Sequence, residues 1–543
     1  MKSQIVVYGG TAAGVAAAIA AARSGCEAVL IERGDHLGGM VASGLGLIDS
    51  LRNNAFGGIC RDLIANARRY YSDKYGPDST ELKLTYGGLF MEAHVAERLL
   101  DRMIRDEPGV TLLKRHELLQ AQTEGHRLVG STYLNRDTGE EVRFAHSVAI
   151  DTTYEGDLAA AAGAAYRVGR EGRREFGERF AGEVFFDPRY YKQEIHPGST
   201  GEPSPFIQAN CFRLTLSDAR DRVPIERPEM YGDVYPRFRF LLDDYDRGRI
   251  RHLNETLWLN PLANHKYCLN GHIEALTSVN VAELSAQWAE GSWSTRESLY
   301  RYYKAHTLGL LHFLQHDSKV PLVPQADASR FGLPADEYEH DAHFPWQLYV
   351  RQGRRIVGEY TVTEHDAVPE SERDRPSIHG DAIAVYEHGF DSHPCRDRAS
   401  SGAIVRASDG FELLEGVIYF KSKYKAVNRP ATLPYRAIVP EKVDGLLVPA
   451  ALSATSVAYS AIRMEPVWMA AAEAAGRAAS QALSEGVDVR NIDTCRLQKT
   501  LLKAGQVLVY FPELALDDPD FAPIQLQALE SDHPDFNLEG LRA

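Results

Sequence analysis

Over the first thirty-three residues, apolar and polar positions fall into three blocks. Ile5-Val6-Val7-Tyr8 is a short apolar run that stops at Gly9-Gly10. The stretch from Ala12 to Gly25 is mostly alanine and carries no charge before Arg23. A second apolar run, Ala28-Val29-Leu30-Ile31, ends in Glu32-Arg33. A short apolar run bounded by glycine predicts a buried strand, and the alanine block predicts a helix without a bulky face. The order is therefore strand, tight turn, helix and parallel strand.

The pattern continues along the chain. Residues 52 to 110 carry a helical period, clearest from Glu92 to Leu100. Val110-Thr111-Leu112-Leu113 predicts a strand, followed by a three-stranded meander through Leu128-Val129-Gly130 and Val142-Arg143-Phe144. Ser147 to Thr153 predicts a strand returning to the sheet, then the turn Tyr154-Glu155-Gly156-Asp157 and another alanine-rich helix. From about 170 to 410 alanine thins out while aromatics, histidines and arginines rise, which marks an inserted α+β domain on the substrate side. The histidine loops Asn264-His265-Lys266-Tyr267 and Asn270-Gly271-His272 read as solvated. The apolar strand Gly445 to Leu452 brings the chain back, and a long alanine helix opens in the segment Ser453 to Pro466. It ends near Glu485, with Pro466 in its first turn and Gly486 just past its end. The fold class is α/β, with domains at 1–170, 171–410 and 411–490 and a helical tail at 491–543 that includes a proline- and acid-rich surface stretch.

The opening block has the parts of a dinucleotide-binding unit. Gly9 permits the sharp turn, and the helix from Ala12 aims its free N–H groups at a diphosphate. Gly14 lets helix and sheet approach, and Glu32, 18 residues past Gly14, accepts from ribose hydroxyls. One departure stands out: Thr11 occupies the place of the middle glycine of GxGxxG. Its β-carbon crowds a phosphate, and its hydroxyl offers a hydrogen bond in return. The competing reading is a buried alanine helix of some other α/β protein. In the loop Gly34 to Gly46, which holds Gly38, Gly39, Met40, Ser43 and Gly44, the glycine density demands unusual backbone angles or close approach of a ligand. Arg463 enters a helix N-terminus among apolar neighbours, where dipole and charge together favour an anion. His365 and His393 sit at polar loop positions suited to presenting a catalytic group.

Composition narrows the function. The 543 residues suffice for two or more folding units, and a formal charge of −15 disfavours a dedicated nucleic-acid binder. Six cysteines without a CxxC pair argue against zinc ribbons, dithiol reductases and disulfide scaffolds, and fit a reducing, cytoplasmic setting. No metal site or membrane span is expected, and the oligomeric state is left open.

Taken together, the opening turn, Leu37-Gly38-Gly39-Met40, Tyr154-Glu155-Gly156-Asp157-Leu158, Arg354 to Tyr360, Asp391-Ser392-His393 and Ile462-Arg463-Met464-Glu465-Pro466 resemble the FAD-dependent oxidoreductases of the two-dinucleotide-binding-domain superfamily, in the branch labelled xanthan lyase-like. The resemblance implies a glutathione-reductase-type FAD fold and noncovalent FAD. The implied cofactor set is Gly9, Gly10, Thr11, Ala12, Ala13, Gly14, Glu32, Arg33, Gly38, Gly39, Met40, Ser43, Gly44, Leu118, Asp151, Thr152, Asp157, Ala450, Ile462, Arg463 and Met464. Two departures accompany it: Ser456 stands where relatives often carry histidine, and Ala450-Ala451 where many carry a glycine–acid pair.

With a single dinucleotide fingerprint, the expected activity is hydride transfer from a small polar substrate (an alcohol, an amine or a carbohydrate-like molecule) to FAD. His393 is the expected proton acceptor, Arg463 the charge stabiliser, and Arg351 or Arg354 the holder of a substrate anion. The rival readings are a monooxygenase using external NAD(P)H and O₂, an RNA-modifying flavoprotein, and a non-catalytic partner subunit.

Overall fold

The computed structural model describes residues 2–50, 52, 55–187, 194–368, 375–419, 430–531, 538 and 541. Its centre is a seven-stranded sheet. The strands are β1 (Lys2–Tyr8), β2 (Ala28–Ile31), β3 (Val110–Leu113), β4 (His116–Glu124), β5 (Arg127–Asn135) and β6 (Glu141–Asp151), in the spatial order β3-β2-β1-β6-β5-β4, with Leu446–Leu447 joining β6. β1, β2, β3 and β6 run parallel, as does Leu446–Leu447.

β6 corrects the sequence-based expectation. The meander strand and the returning strand are one strand of 11 residues. Its first half pairs antiparallel with β5, Gly130 opposite Ala145, while Ala149 and Ile150 pair with Leu446 and Leu447. No turn residue interrupts Val142 to Asp151, so nothing breaks the ladder. The alanine-rich helix after it covers only Asp157–Ala161.

Helix α1 (Ala12–Arg23) is buried on all sides, as expected of a helix apolar all round. One side meets the sheet and the other meets the helix Glu465–Glu485, where a β-carbon on Gly476 would lie 2.3 Å from Ala17 O. Small residues on both helices allow that approach. The long helix begins at Glu465, inside the segment that the sequence pattern marks. Thr455 caps a separate short helix, Ser456–Ile462, and the chain breaks at Arg463-Met464 before restarting. Pro466 does sit in the first turn and Gly486 closes the end with φ 67°.

The inserted region carries an antiparallel sheet of Leu214–Ser217, Lys266–Gly271 and Leu257–Leu262, with helices Tyr231–Asp246 and Trp293–His316. That sheet lies directly on the glycine loop, for a β-carbon on Gly44 would meet Arg213 O at 2.0 Å and one on Gly46 would meet Cys268 Cβ at 2.6 Å. Part of the 171–410 stretch pairs with the residues on either side of it, outside the central sheet. Arg355–Ile356 pairs with Tyr166–Arg167, and the Ile356 N–H donates to Ala451 O at 2.9 Å. The tail is also more deeply packed than its composition suggests: Leu508 and Val509 are buried, and their N–H groups donate to Gln525 Oε1.

Candidate active site

At the nucleotide end, Gly9 adopts φ 109°, and a β-carbon on Gly14 would fall 1.9 Å from Gly9 O. Thr11 is tolerated because its backbone is extended (φ −66°, ψ 170°), which does not require glycine. Its hydroxyl caps α1, accepting from Gly14 N at 3.1 Å and donating to Thr152 O at 3.0 Å. The expected bond to a phosphate is therefore replaced by a cap. Ala12 and Ala13 form the buried first turn. Glu32 accepts from Gly10 N and Gly34 N, both at 2.6 Å, which leaves further lone pairs for ribose. Arg33 donates to Glu117 and stacks 3.7 Å from the Trp293 ring centroid. Thr152 Oγ1 donates to Gly9 O at 2.7 Å, Asp151 holds Thr153 and Ala159, and Leu118 N donates to Tyr8 OH at 3.3 Å. Asp157 is clasped by Arg296 at 2.6 Å and by Arg354 at 2.9 Å.

A cavity of about 290 Å³ opens here between Tyr8, Gly9, Thr11, Glu32, Arg33 and Thr153 on one side and Trp293, Trp346 and Leu348 on the other. The Trp346 indole N–H is shielded from solvent and has no partner. Gly9, Thr11 and Glu32 of the opening unit line this space, which has room for part of a dinucleotide.

Between the two ends lies the glycine loop. A β-carbon on Gly39 would lie 2.2 Å from Tyr154 OH, and one on Gly38 would lie 2.6 Å from Leu100 Cδ1. With Gly44 and Gly46 lying against the inserted sheet, these glycines serve close packing of the protein on itself. Ser43 Oγ accepts from Gln347 N, Ala450 O from Tyr459 OH, and Ser456 Oγ donates to Gln352 Oε1. Tyr154 OH accepts from Met40 N and donates to Glu465 Oε1 at 2.6 Å. Burial raises the Glu465 carboxyl from 4.5 to about 8, so it is protonated at neutral pH. A carboxyl raised in the folded state costs stability as pH rises from 4.5 to 8, because only the unfolded chain releases its proton there. Glu465→Gln is therefore expected to match the wild-type thermal midpoint near pH 5 and to exceed it by several degrees at pH 8.

The second cavity, about 230 Å³, is lined by Asp49, Arg213, Tyr349, Asp391, His393, Arg463 and Met464 among others. Arg463, next to Ile462 at the helix break, is 1% exposed. It donates to Tyr349 OH at 2.7 Å and to Asp391 Oδ2 at 2.9 Å, and its Nε has no partner. Arg351, fully buried, donates to Ala209 O, to Cys211 Sγ and to Asn280 Oδ1 at 2.9 Å. That bond orders the rest. Because Asn280 accepts through Oδ1, its amide Nδ2 donates to His393 Nδ1 at 3.2 Å. The imidazole proton then sits on Nε2, which faces Asp391 Oδ1 at 3.5 Å. Burial, followed by Arg351, holds His393 well below the usual imidazole range. Burial opposes the charge on Asp391, but Arg463 and His393 outweigh it and hold that carboxyl at about 2.

Of the four catalytic candidates, His393 and Arg463 line one cavity and Arg351 supports it from behind. Arg354 belongs to the nucleotide end. His365 is exposed and bonded to Phe176 O. Asp391 was visible beside His393 in the sequence, and Tyr349 two residues before Arg351, but nothing local marks Arg213 or Asn280. Glu92, His94 and Glu337 offer ligand atoms within 4.8 Å of one another, yet Lys266 Nζ sits among them, 2.7 Å from Glu92 and 2.9 Å from Glu337. Among the described residues no helix is long and apolar enough to cross a membrane.

A parallel sheet opening on a glycine turn, with a second polar cavity at the helix break, defines a dinucleotide-binding α/β enzyme. The chain belongs to the FAD dependent oxidoreductase family, whose profile matches residues 4–501. FAD is thus the cofactor. No curated relative matches the sequence. Among solved structures, similarity is found to the myxobacterial chondrochloren halogenase CndH, a variant FAD-dependent halogenase, at 16% identity over 56% of this chain and 58% of that chain, with a TM-score of 0.25. Mycobacterium smegmatis Sdh1 in complex with UQ1 matches at 16% identity over 32% and 41%, TM-score 0.23. The L-proline dehydrogenase of P. horikoshii matches at 13% over 32% and 25%, TM-score 0.19. The chain thus spans from a quarter to little over half of the length of these structures.

Proposed function

We propose that this FAD-dependent oxidoreductase works as a dehydrogenase or oxidase on a small polar organic substrate, an alcohol, amine or carbohydrate-like molecule, bound in the cavity beside Arg463. The observation that carries the reading is His393, bracketed by Asp391 and Asn280 at the wall of a substrate-sized cavity. FAD, when bound, supplies the hydride acceptor. A substrate O–H or N–H at the cavity wall gives its proton to His393, whose Nδ1 is the nitrogen that carries none. Asp391 then faces the imidazolium through Nε2–H. Arg463, with its free Nε and its Tyr349 partner, stabilises negative charge developing at the helix break.

The test is anaerobic bleaching of the bound flavin by candidate polyols, amines and hydroxy acids. Bleaching by NADPH without substrate would overturn the reading in favour of a monooxygenase. His393→Gln is expected to lower kcat/KM by about 10²- to 10⁴-fold. The groups acting on His393 are Arg351, Arg463 and Arg213, which disfavour its protonation, and Asp391, which favours it. Since its pKa is depressed, the neutral base persists in mild acid, so kcat/KM should stay level from pH 8 to below 6.5. An acid limb at or above 6.5 would exclude His393 as that base.

A further inference from the structure

We propose that the substrate is a small acid with a single carboxylate and that Arg213 receives it; this rests on the reading above that the cavity beside Arg463 is the substrate site. Arg213 precedes the strand Leu214–Ser217 and is 4% exposed. Its Nε donates to Leu269 O at 3.0 Å, and its Nη2 reaches Leu45 O at 3.4 Å and Cys268 Sγ at 3.6 Å. Nη1 has no partner, and among the described residues no carboxylate comes within 4.0 Å of the guanidinium.

Other buried arginines here are matched differently. Arg170 pairs with Glu415 at 2.8 Å, Arg355 with Glu171 at 2.7 Å, and Arg463 with Asp391 at 2.9 Å. Arg351 lacks a carboxylate but faces Ala209 O and Asn280 behind the cavity. Arg213 alone among these lines the cavity with a free Nη1 and no carboxylate in contact, Asp49 acting on it only from beyond ion-pair distance, and buried charges are ordinarily paired. A ligand carboxylate completes it, because a guanidinium edge binds carboxylate oxygens directly. Asp49, half-buried and without a hydrogen bond, lines the same cavity together with Asp391. Asp391 is already paired with Arg463, so it is the negative charge of Asp49 that disfavours a second anionic group on the ligand. The class is therefore a monocarboxylate rather than a dicarboxylate.

The holoenzyme is titrated with propionate, with 1-propanol as its neutral counterpart and with succinate as the dicarboxylate. The readouts are perturbation of the bound-flavin spectrum, calorimetry, FAD content and thermal midpoint. Propionate is expected to saturate, with 1-propanol and succinate each at least tenfold weaker. Arg213→Lys, which keeps the charge but loses the fork, is expected to weaken propionate at least tenfold with FAD content and thermal midpoint retained. Asp49→Asn is expected to strengthen propionate severalfold. The proposal is overturned if 1-propanol binds as tightly as propionate, or if both variants keep wild-type propionate affinity. It is also overturned if Arg213→Lys loses FAD, which would place Arg213 on the cofactor. Saturable propionate binding with no organic compound able to bleach the flavin upholds this site and removes the hydride-donor reading. Bleaching by neutral alcohols without propionate binding does the reverse.

Discussion

Gly14→Ala protein is expected to be recovered colourless and poorly folded, a loss that added FAD does not restore. The new methyl group would sit 1.9 Å from Gly9 O and 2.8 Å from Thr152 Oγ1. Neither atom can yield cheaply. Gly9 O belongs to the turn at φ 109°, and Thr152 Oγ1 is donating to that same carbonyl. Relief requires α1 to slide away from β1, but α1 is clamped behind by the helix Glu465–Glu485. Overpacking of a dense core typically costs about 1–3 kcal/mol, and a backbone clash of this depth exceeds that range. Absorbance at 450 nm against protein concentration, with the thermal midpoint, measures both losses. A yellow variant of wild-type stability would show that the turn does not depend on that contact.

The largest effect away from the cofactor is expected at Lys266. Its ammonium is 2% exposed and lies 2.7, 2.8 and 2.9 Å from Glu92, Asp336 and Glu337. Lys266→Met fills similar space but strands two buried carboxylates, and breaking a buried ion pair costs about 3–5 kcal/mol. The pH dependence separates this cause from simple misfit. Burial works against the charge on Glu337, but His94 and Lys266 outweigh it and hold its carboxyl below the ordinary 4.5. In the wild type that contribution is present above pH 4.5 and lost as pH falls through the lower folded value. Without Lys266, Glu337 loses part of what holds its carboxyl down, so the deficit is expected to be greatest at pH 8 and smaller at pH 5. Thermal midpoints at the two pH values check it, and an equal deficit at both would refute the charge argument.

The segments legible in the sequence are those whose conformation depends on near neighbours. β1, its glycine turn, α1 and β2 lie within thirty-odd residues, and periodicity and turn chemistry prescribe each. The same holds for Pro466 and Gly486 at the ends of the last long helix, and for the buried setting of Arg463 among Ile462 and Met464. The glycine loop was legible only as a demand for space. Gly38, Gly39, Gly44 and Gly46 make room for Leu100, Tyr154, Arg213 and Cys268, residues 62 to 222 positions away.

By itself, then, the sequence determined that the chain opens on a dinucleotide turn, returns through an alanine helix and carries a cation at that helix's entrance. Tertiary structure alone decided which side chains meet there. Arg213, Tyr349, Asp391, His393 and Arg463 converge on one cavity from positions spread over 250 residues. It also decided that Asn280, oriented by Arg351, sets the proton on His393, and that Arg354 and Asp157 are committed to each other. The physical reason is that hydrophobic period and turn chemistry act over a few residues. The partner of a buried charge is chosen by how the sheets and helices pack, and no local pattern records it.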